Sequence, residues 1–198
     1  MITSRTLTSV IVAGMISLLV PVGLTSPVSA ADLSAVAIGD SVMLGAKSQL
    51  QRIGVTVVDA KVSRQASVGP ELVRKLARNP NIKHVVIHLG TNGFYSVDSC
   101  RETIRAAGLK RTVFLVNLKV PRKWEKTNNA LMRKCASGFS SSRVQVLDWY
   151  SISQTKSAYL YSDGIHLTPA GAKKFAGMIR AAIKQTITWQ DRVTPGPR

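Results

Sequence analysis

Five short, nearly all-apolar runs recur along the chain: Ala35–Ile38, Val55–Val58, Val85–Leu89, Thr112–Leu118 and Val144–Leu147. They are rich in β-branched residues and lack polar alternation, the pattern of strands covered on both faces in a parallel sheet. Helical candidates separate them, roughly Met43–Arg52, Pro70–Arg78, Ser99–Ala107 and Trp124–Ser137. A final helix is the clearest. In "TPAGAKKFAGMIRAAIKQ", Phe175, Met178, Ile179, Ala182 and Ile183 recur at helical spacing, while Lys173, Lys174, Arg180 and Lys184 take other faces. Thr168 can cap this helix, and Pro169 suits its first position. Strand alternating with helix predicts an α/β protein, a three-layer α/β/α domain around a mostly parallel five-stranded sheet.

The first thirty residues stand apart from this pattern. A short basic start, "MITSR", leads into an apolar stretch from about Val10 to Leu24, and Val28-Ser29-Ala30 places small residues as a signal peptidase requires. Pro21 interrupts the stretch, which is shorter than the ~18 residues of a spanning helix. The expectation is a secretory leader over residues 1–30, with an uncleaved anchor as the alternative. The expected division continues with one domain over 31–187 and a tail over 188–198. An exported, extracytoplasmic and cell-wall-associated monomer follows from this reading.

The formal charge is +17 at pH 7, and removing Arg5 with the leader leaves +16. Such a charge favours polyanionic surroundings, here wall polymers or lipid head groups. Sparse aromatics and basic residues spread over several segments argue against a nucleic-acid partner. Cys100 and Cys135 fit one disulfide in an oxidising compartment, provided their helices are neighbours; a free buried thiol pair is the alternative. Neither cysteine has a histidine beside it, so no metal is expected.

Ligands of open α/β sheets bind beyond the carboxyl ends of the strands. Polar clusters fall there: "GDS" after the first strand, "SRQ" (Ser63–Gln65) after the second and "GTN" (Gly90–Asn92) after the third. "SDGIHLT" precedes the final helix. Ser41 could be a helix cap or a nucleophile, and a serine hydroxyl attacks only when a base takes its proton. His166 is the candidate base. Asp163, three residues earlier with Gly164 between, can reach its Nδ1–H and fix the tautomer; Asp148 is a rival. Asn92 either stabilises a turn or donates to a developing oxyanion, as can the backbone N–H of Ser41.

These blocks resemble the SGNH, or GDSL-like, hydrolase superfamily. "AIGDSVMLGA", "VDAKVSRQ", "VVIHLGTNG", "VPRKWE" with a following Asn, "VLDW" and "DGIHLTPAGA" are similar to the extracytoplasmic domain of OatA-type peptidoglycan O-acetyltransferases. The likeness runs from about Val36 to Ile183. It implies a flavodoxin-like fold and acyl transfer through an acyl-serine, with no metal or organic cofactor. Ser41 is then the nucleophile, Asp163 the acid and His166 the base. Ser41, Ser63 and Asn92 supply the oxyanion hole, with Ser63 standing where the family usually carries glycine.

The resemblance implies a serine esterase or acyltransferase acting on O-acyl groups, O-acetyl first, of cell-envelope carbohydrate or another acylated glycan. Hydrolysis and transfer use the same residues, so the triad does not choose between them. The OatA-type enzymes join this domain to a membrane part that delivers acyl groups. The expectation here is a free-standing esterase or a domain supplied by a separate membrane acyltransferase. A wall-binding module without turnover is the reading from a different class.

Overall fold

The computed structural model describes residues 32–193. The leader expected over residues 1–30 lies outside them. The described chain runs β1 (Ala35–Gly39), α1 (Ser41–Gly45), α2 (Lys47–Arg52), β2 (Val55–Ala60), α3 (Gly69–Leu76), β3 (His84–His88) and α4 (Val97–Ala106). It continues through β4 (Thr112–Val116), α5 (Glu125–Ala136), β5 (Val144–Leu147), α6 (Trp149–Ser153) and α7 (Pro169–Val193). All four strand pairings are parallel, in the order β2-β1-β3-β4-β5.

Because strand side chains alternate between faces, the apolar runs feed two cores. Ala35, Ala37, Val86, Phe114 and Val116 pack on α1, α2 and α7 through Met43, Leu50, Phe175 and Ile179. Val36, Ile38, Val85, Ile87, Val113 and Leu115 face α3, α4 and α5 through Val73, Ile104 and Met132. Burial on both sides explains why the strands read as unbroken apolar runs. The result is the three-layer α/β/α domain expected from the sequence. Strand order reverses direction between β1 and β3, and the crevice at that switch point is where such sheets hold ligands.

Cys100 of α4 and Cys135 of α5 are joined by a disulfide, both cysteines fully buried. Among the described residues no helix is long and apolar enough to cross a membrane.

Some boundaries differ from expectation for visible reasons. β4 stops at Val116 instead of Leu118, since side chains take over the next backbone groups. Asn129 Oδ1 accepts from Leu118 N–H, and its Nδ2 donates to Leu118 C=O. The helix foreseen over Met43–Arg52 is two, meeting at Ala46. α7 extends through Val193, six residues into the segment taken as tail. No glycine or proline falls between Gly177 and Val193 to interrupt it.

Candidate active site

β1 ends against a turn that leaves little room. An ideal Cβ on Gly39 would sit 2.3 Å from Met43 Cβ, so α1 folds directly back on the strand end. Asp40, fully buried, is the N-cap of α1, its Oδ1 accepting from Val42 N–H at 3.1 Å. The capping role suggested for Ser41 thus belongs to its neighbour. Asp40 Oδ2 also accepts from Thr91 N–H at 3.3 Å, which ties the end of β1 to the loop after β3. Its Oδ1 lies 3.4 Å from His88 Nδ1. Burial pushes the Asp40 carboxyl up, but His88 and the hydrogen bonds from Thr91 and Val42 outweigh it and hold the group below the ordinary carboxylate value.

Ser41 opens α1 and faces His166. Its hydroxyl oxygen lies 3.0 Å from Nε2, and Asp163 Oδ2 lies 2.6 Å from Nδ1. The direction of these bonds follows from the carboxylate. Partial burial opposes its ionisation, yet the His166 ring and the backbone N–H groups of His166 and Ile165 hold the Asp163 pKa down to about 2. An ionised carboxylate only accepts, so Nδ1 carries the proton. In the neutral ring Nε2 then keeps its lone pair, and Ser41 O–H donates to it. That is the tautomer a general base at Ser41 needs.

The loop carrying Asp163 and His166 is held by its own backbone. Leu160 and Leu167 form an antiparallel bridge, Tyr161 N–H donates to His166 C=O at 2.8 Å, and Asp163 Oδ1 accepts from the N–H of Ile165 and His166. Gly164 takes φ +67°, which lets the turn close. Thr168 Oγ1 accepts from Gly171 N–H, as expected of the α7 cap. The rival Asp148 is engaged elsewhere: it accepts from Asn117 Nδ2 at 2.7 Å and caps α6 through Ser151.

Asn92 follows β3, and its Nδ2 donates to Arg64 C=O at 3.2 Å. Its loop is fixed from beneath by Asn128, a fully buried residue of α5. Asn128 Nδ2 donates to Gly90 C=O and Gly93 C=O, and Oδ1 accepts from Tyr95 N–H. Trp124 Nε1–H donates to Thr91 C=O, so this indole braces the same loop and meets exposed Phe94 edge-on. Two adjacent buried asparagines inside a helix, Asn128 and Asn129, are a sequence signal of such bracing, because asparagine costs helix stability unless its amide is used.

Ser63 adopts φ +58°, the left-handed region that favours glycine. The loop thus keeps a glycine-like backbone although the residue is serine. A cavity of 420 Å³ opens beside Ser41 and His166, with Ser48, Gln49, Tyr161 and Thr168 in its walls. Among the described residues no cluster of His, Cys, Asp and Glu is arranged as metal ligands would be.

The sequence is 38% identical over 151 residues to YrhL of Bacillus subtilis (strain 168), covering 75% of this chain and 23% of the relative. It is 34% identical over 152 residues to peptidoglycan O-acetyltransferase OatA of Listeria monocytogenes, covering 76% of this chain and 24% of that protein. The C-terminal catalytic domain of Streptococcus pneumoniae peptidoglycan O-acetyltransferase A superposes with a TM-score of 0.67 at 23% identity. That match spans 78% of this chain and 94% of the other. Over about three quarters of its length the chain is thus similar in sequence to a segment of the OatA and YrhL proteins, and its fold is the one seen in GDSL-like hydrolases. No family model matches the sequence. The chain spans about a quarter of the length of the curated relatives it matches. Structural likeness extends to a carbohydrate esterase of Clostridium thermocellum, with a TM-score of 0.61 at 14% identity. At such identities the likeness speaks for the shared fold alone.

Proposed function

We propose that the protein is an exported serine O-acyl esterase or O-acyltransferase that handles O-acetyl groups on cell-wall carbohydrate through an acyl-Ser41 intermediate. The observation that carries the reading is the unbroken relay from Ser41 Oγ to His166 at 3.0 Å and on to Asp163 at 2.6 Å. Ser41 Oγ attacks the ester carbonyl carbon while Nε2 of His166 accepts its proton. Asp163 stays ionised and favours the imidazolium that forms. Negative charge on the carbonyl oxygen rests on the N–H groups of Ser41 and Ser63 and on Asn92 Nδ2, donors of a kind worth about 3 kcal/mol of barrier each. Collapse breaks the bond to the sugar oxygen, which takes the proton from His166. The acyl-Ser41 ester then passes to water or to a sugar hydroxyl, which His166 deprotonates in turn.

Support for a wall glycan comes from the names of the relatives, peptidoglycan O-acetyltransferases, and from the basic charge of the chain. The test is the full chain with p-nitrophenyl acetate, with and without a chitooligosaccharide or muroglycan acceptor, beside Ser41→Ala. Release of p-nitrophenol that vanishes in the variant is the expected result. Acetylated sugar among the products makes the protein a transferase, and free acetate alone makes it a hydrolase. Equal release by both proteins sinks the reading and leaves a wall-binding module.

A further inference from the structure

Arg64 is the residue that the site description leaves without a role, and its contacts are unusually placed. Its side chain is largely covered, only 10% exposed. Nη1 donates to Gly39 C=O at 3.1 Å and to Asp59 C=O, and Nη2 donates to Asp59 Oδ1 at 2.6 Å. The carbonyl of the same residue accepts from Asn92 Nδ2. Ser63, at φ +58°, immediately precedes it. One residue therefore touches the end of β1 two positions before Ser41, the end of β2, and the side chain of Asn92. These are the supports of all three proposed oxyanion donors.

We infer that Arg64, seated by Asp59, is a positioning residue that sets the oxyanion hole of this chain, holding the Ser63 N–H and the Asn92 amide in register with the Ser41 N–H. The inference rests on the acyl-Ser41 reading. Its physical basis is twofold. A serine in left-handed backbone has a cost that glycine lacks, so the turn needs an external hold. The planar guanidinium fork supplies one, since it can engage a carboxylate and two carbonyls at fixed angles that an ammonium cannot reproduce. One of the two Asn92 amide hydrogens is spent on Arg64 C=O, which fixes the amide plane and aims the other.

A donor set displaced by about 1 Å loses on the order of 100-fold in rate, with little change in ground-state binding. The experiment compares the full-length wild type with Arg64→Gln, Arg64→Lys and Asp59→Asn. It measures kcat and KM for p-nitrophenyl acetate, the Ki of methylboronic acid, and Tm. Methylboronic acid adds to the serine hydroxyl as a tetrahedral acetyl mimic whose oxygen occupies the oxyanion position. The expected result is a kcat loss of about 100-fold in Arg64→Gln with KM within about threefold. The boronate Ki should rise in parallel with the kcat loss, Arg64→Lys should recover little, and Asp59→Asn should fall between. Unchanged kcat in the Arg64 variants overturns the inference. So does a kcat loss that follows Tm while the boronate Ki follows KM, which makes the clamp merely structural. If wild type itself shows no Ser41-dependent turnover, the acyl-serine reading fails first, and that outcome is read from the wild-type arm alone.

Discussion

The two halves of the candidate site meet across one hydrogen bond but are built in opposite ways. The Ser41 half is lodged in the core. Asp40 is fully buried, Gly39 is pressed on Met43, and Asp40 reaches across to the loop after β3. The His166 half stands on the surface, with side-chain exposures of 46% for His166 and 44% for Asp163. It is held by a single bridge, a few backbone bonds and the packing of Gly171 beneath it. Ser41 is thus positioned by the sheet and His166 by its own turn. Damage to the first half should appear as lost stability as well as lost activity. Damage to the second should appear as lost activity with the fold intact.

The largest expected effect comes from Ser41→Ala, on the order of 10⁴-fold or more in kcat for ester turnover, because no other group replaces the attacking oxygen. Asp163→Asn sharpens the comparison. Losing the ionised acceptor permits the wrong imidazole tautomer, and we expect a drop on the order of 10³-fold in kcat with Tm nearly unchanged, by steady-state kinetics and calorimetry. A Tm collapse in Asp163→Asn would show that the surface loop carries structural weight after all.

Gly171→Ala probes the seat of that loop. An added Cβ would lie 1.9 Å from Tyr159 C=O, so α7 and the 3-10 turn over Ser157–Tyr159 must separate. Overpacking of this kind costs about 1–3 kcal/mol. We expect a measurable fall in Tm and a fall in kcat larger than that in KM binding, since His166 moves with the loop.

The buried sheet that seats Ser41 is also where pH should act on stability, at the end of the strands away from the site. Burial lowers His84, at the start of β3, from 6.5 to about 4. The unfolded chain therefore binds a proton between these values that the folded chain refuses. Stability is full above about pH 6.5 and falls as pH drops toward 4, by up to about 3 kcal/mol from this group. Denaturant titrations at pH 7 and pH 4.5 should show the loss, and His84→Leu should flatten it. Asp163, held to about 2, keeps its charge throughout this range, so its carboxylate should contribute no comparable slope.

Much of this organisation is legible in the sequence because it is local. The five apolar runs mark the strands, since burial on both faces writes itself into consecutive residues. The spacing of Asp163 and His166 suffices for their contact because both lie in one turn. Arg64 is different. Its partners Asp59 and Gly39 lie five and twenty-five residues away, and only the parallel pairing of β1 and β2 brings them together. The same holds for Asn128, whose amide serves a loop thirty-eight residues earlier at Gly90. Short α6 escapes notice because "WYSIS" shows little more than one helical turn, although its cap Asp148 is readable in hindsight as an acid three residues before Ser151.

The central claim is that Ser41 carries the acyl group, and the direct test is to trap it. The full chain is incubated briefly with p-nitrophenyl acetate, quenched in acid, digested and analysed by mass spectrometry beside Ser41→Ala. The account predicts one acetyl group on Ser41, formed at the rate of the p-nitrophenol burst and absent from the variant. Steady p-nitrophenol release with no acetyl on Ser41, at the same rate in both proteins, would contradict it.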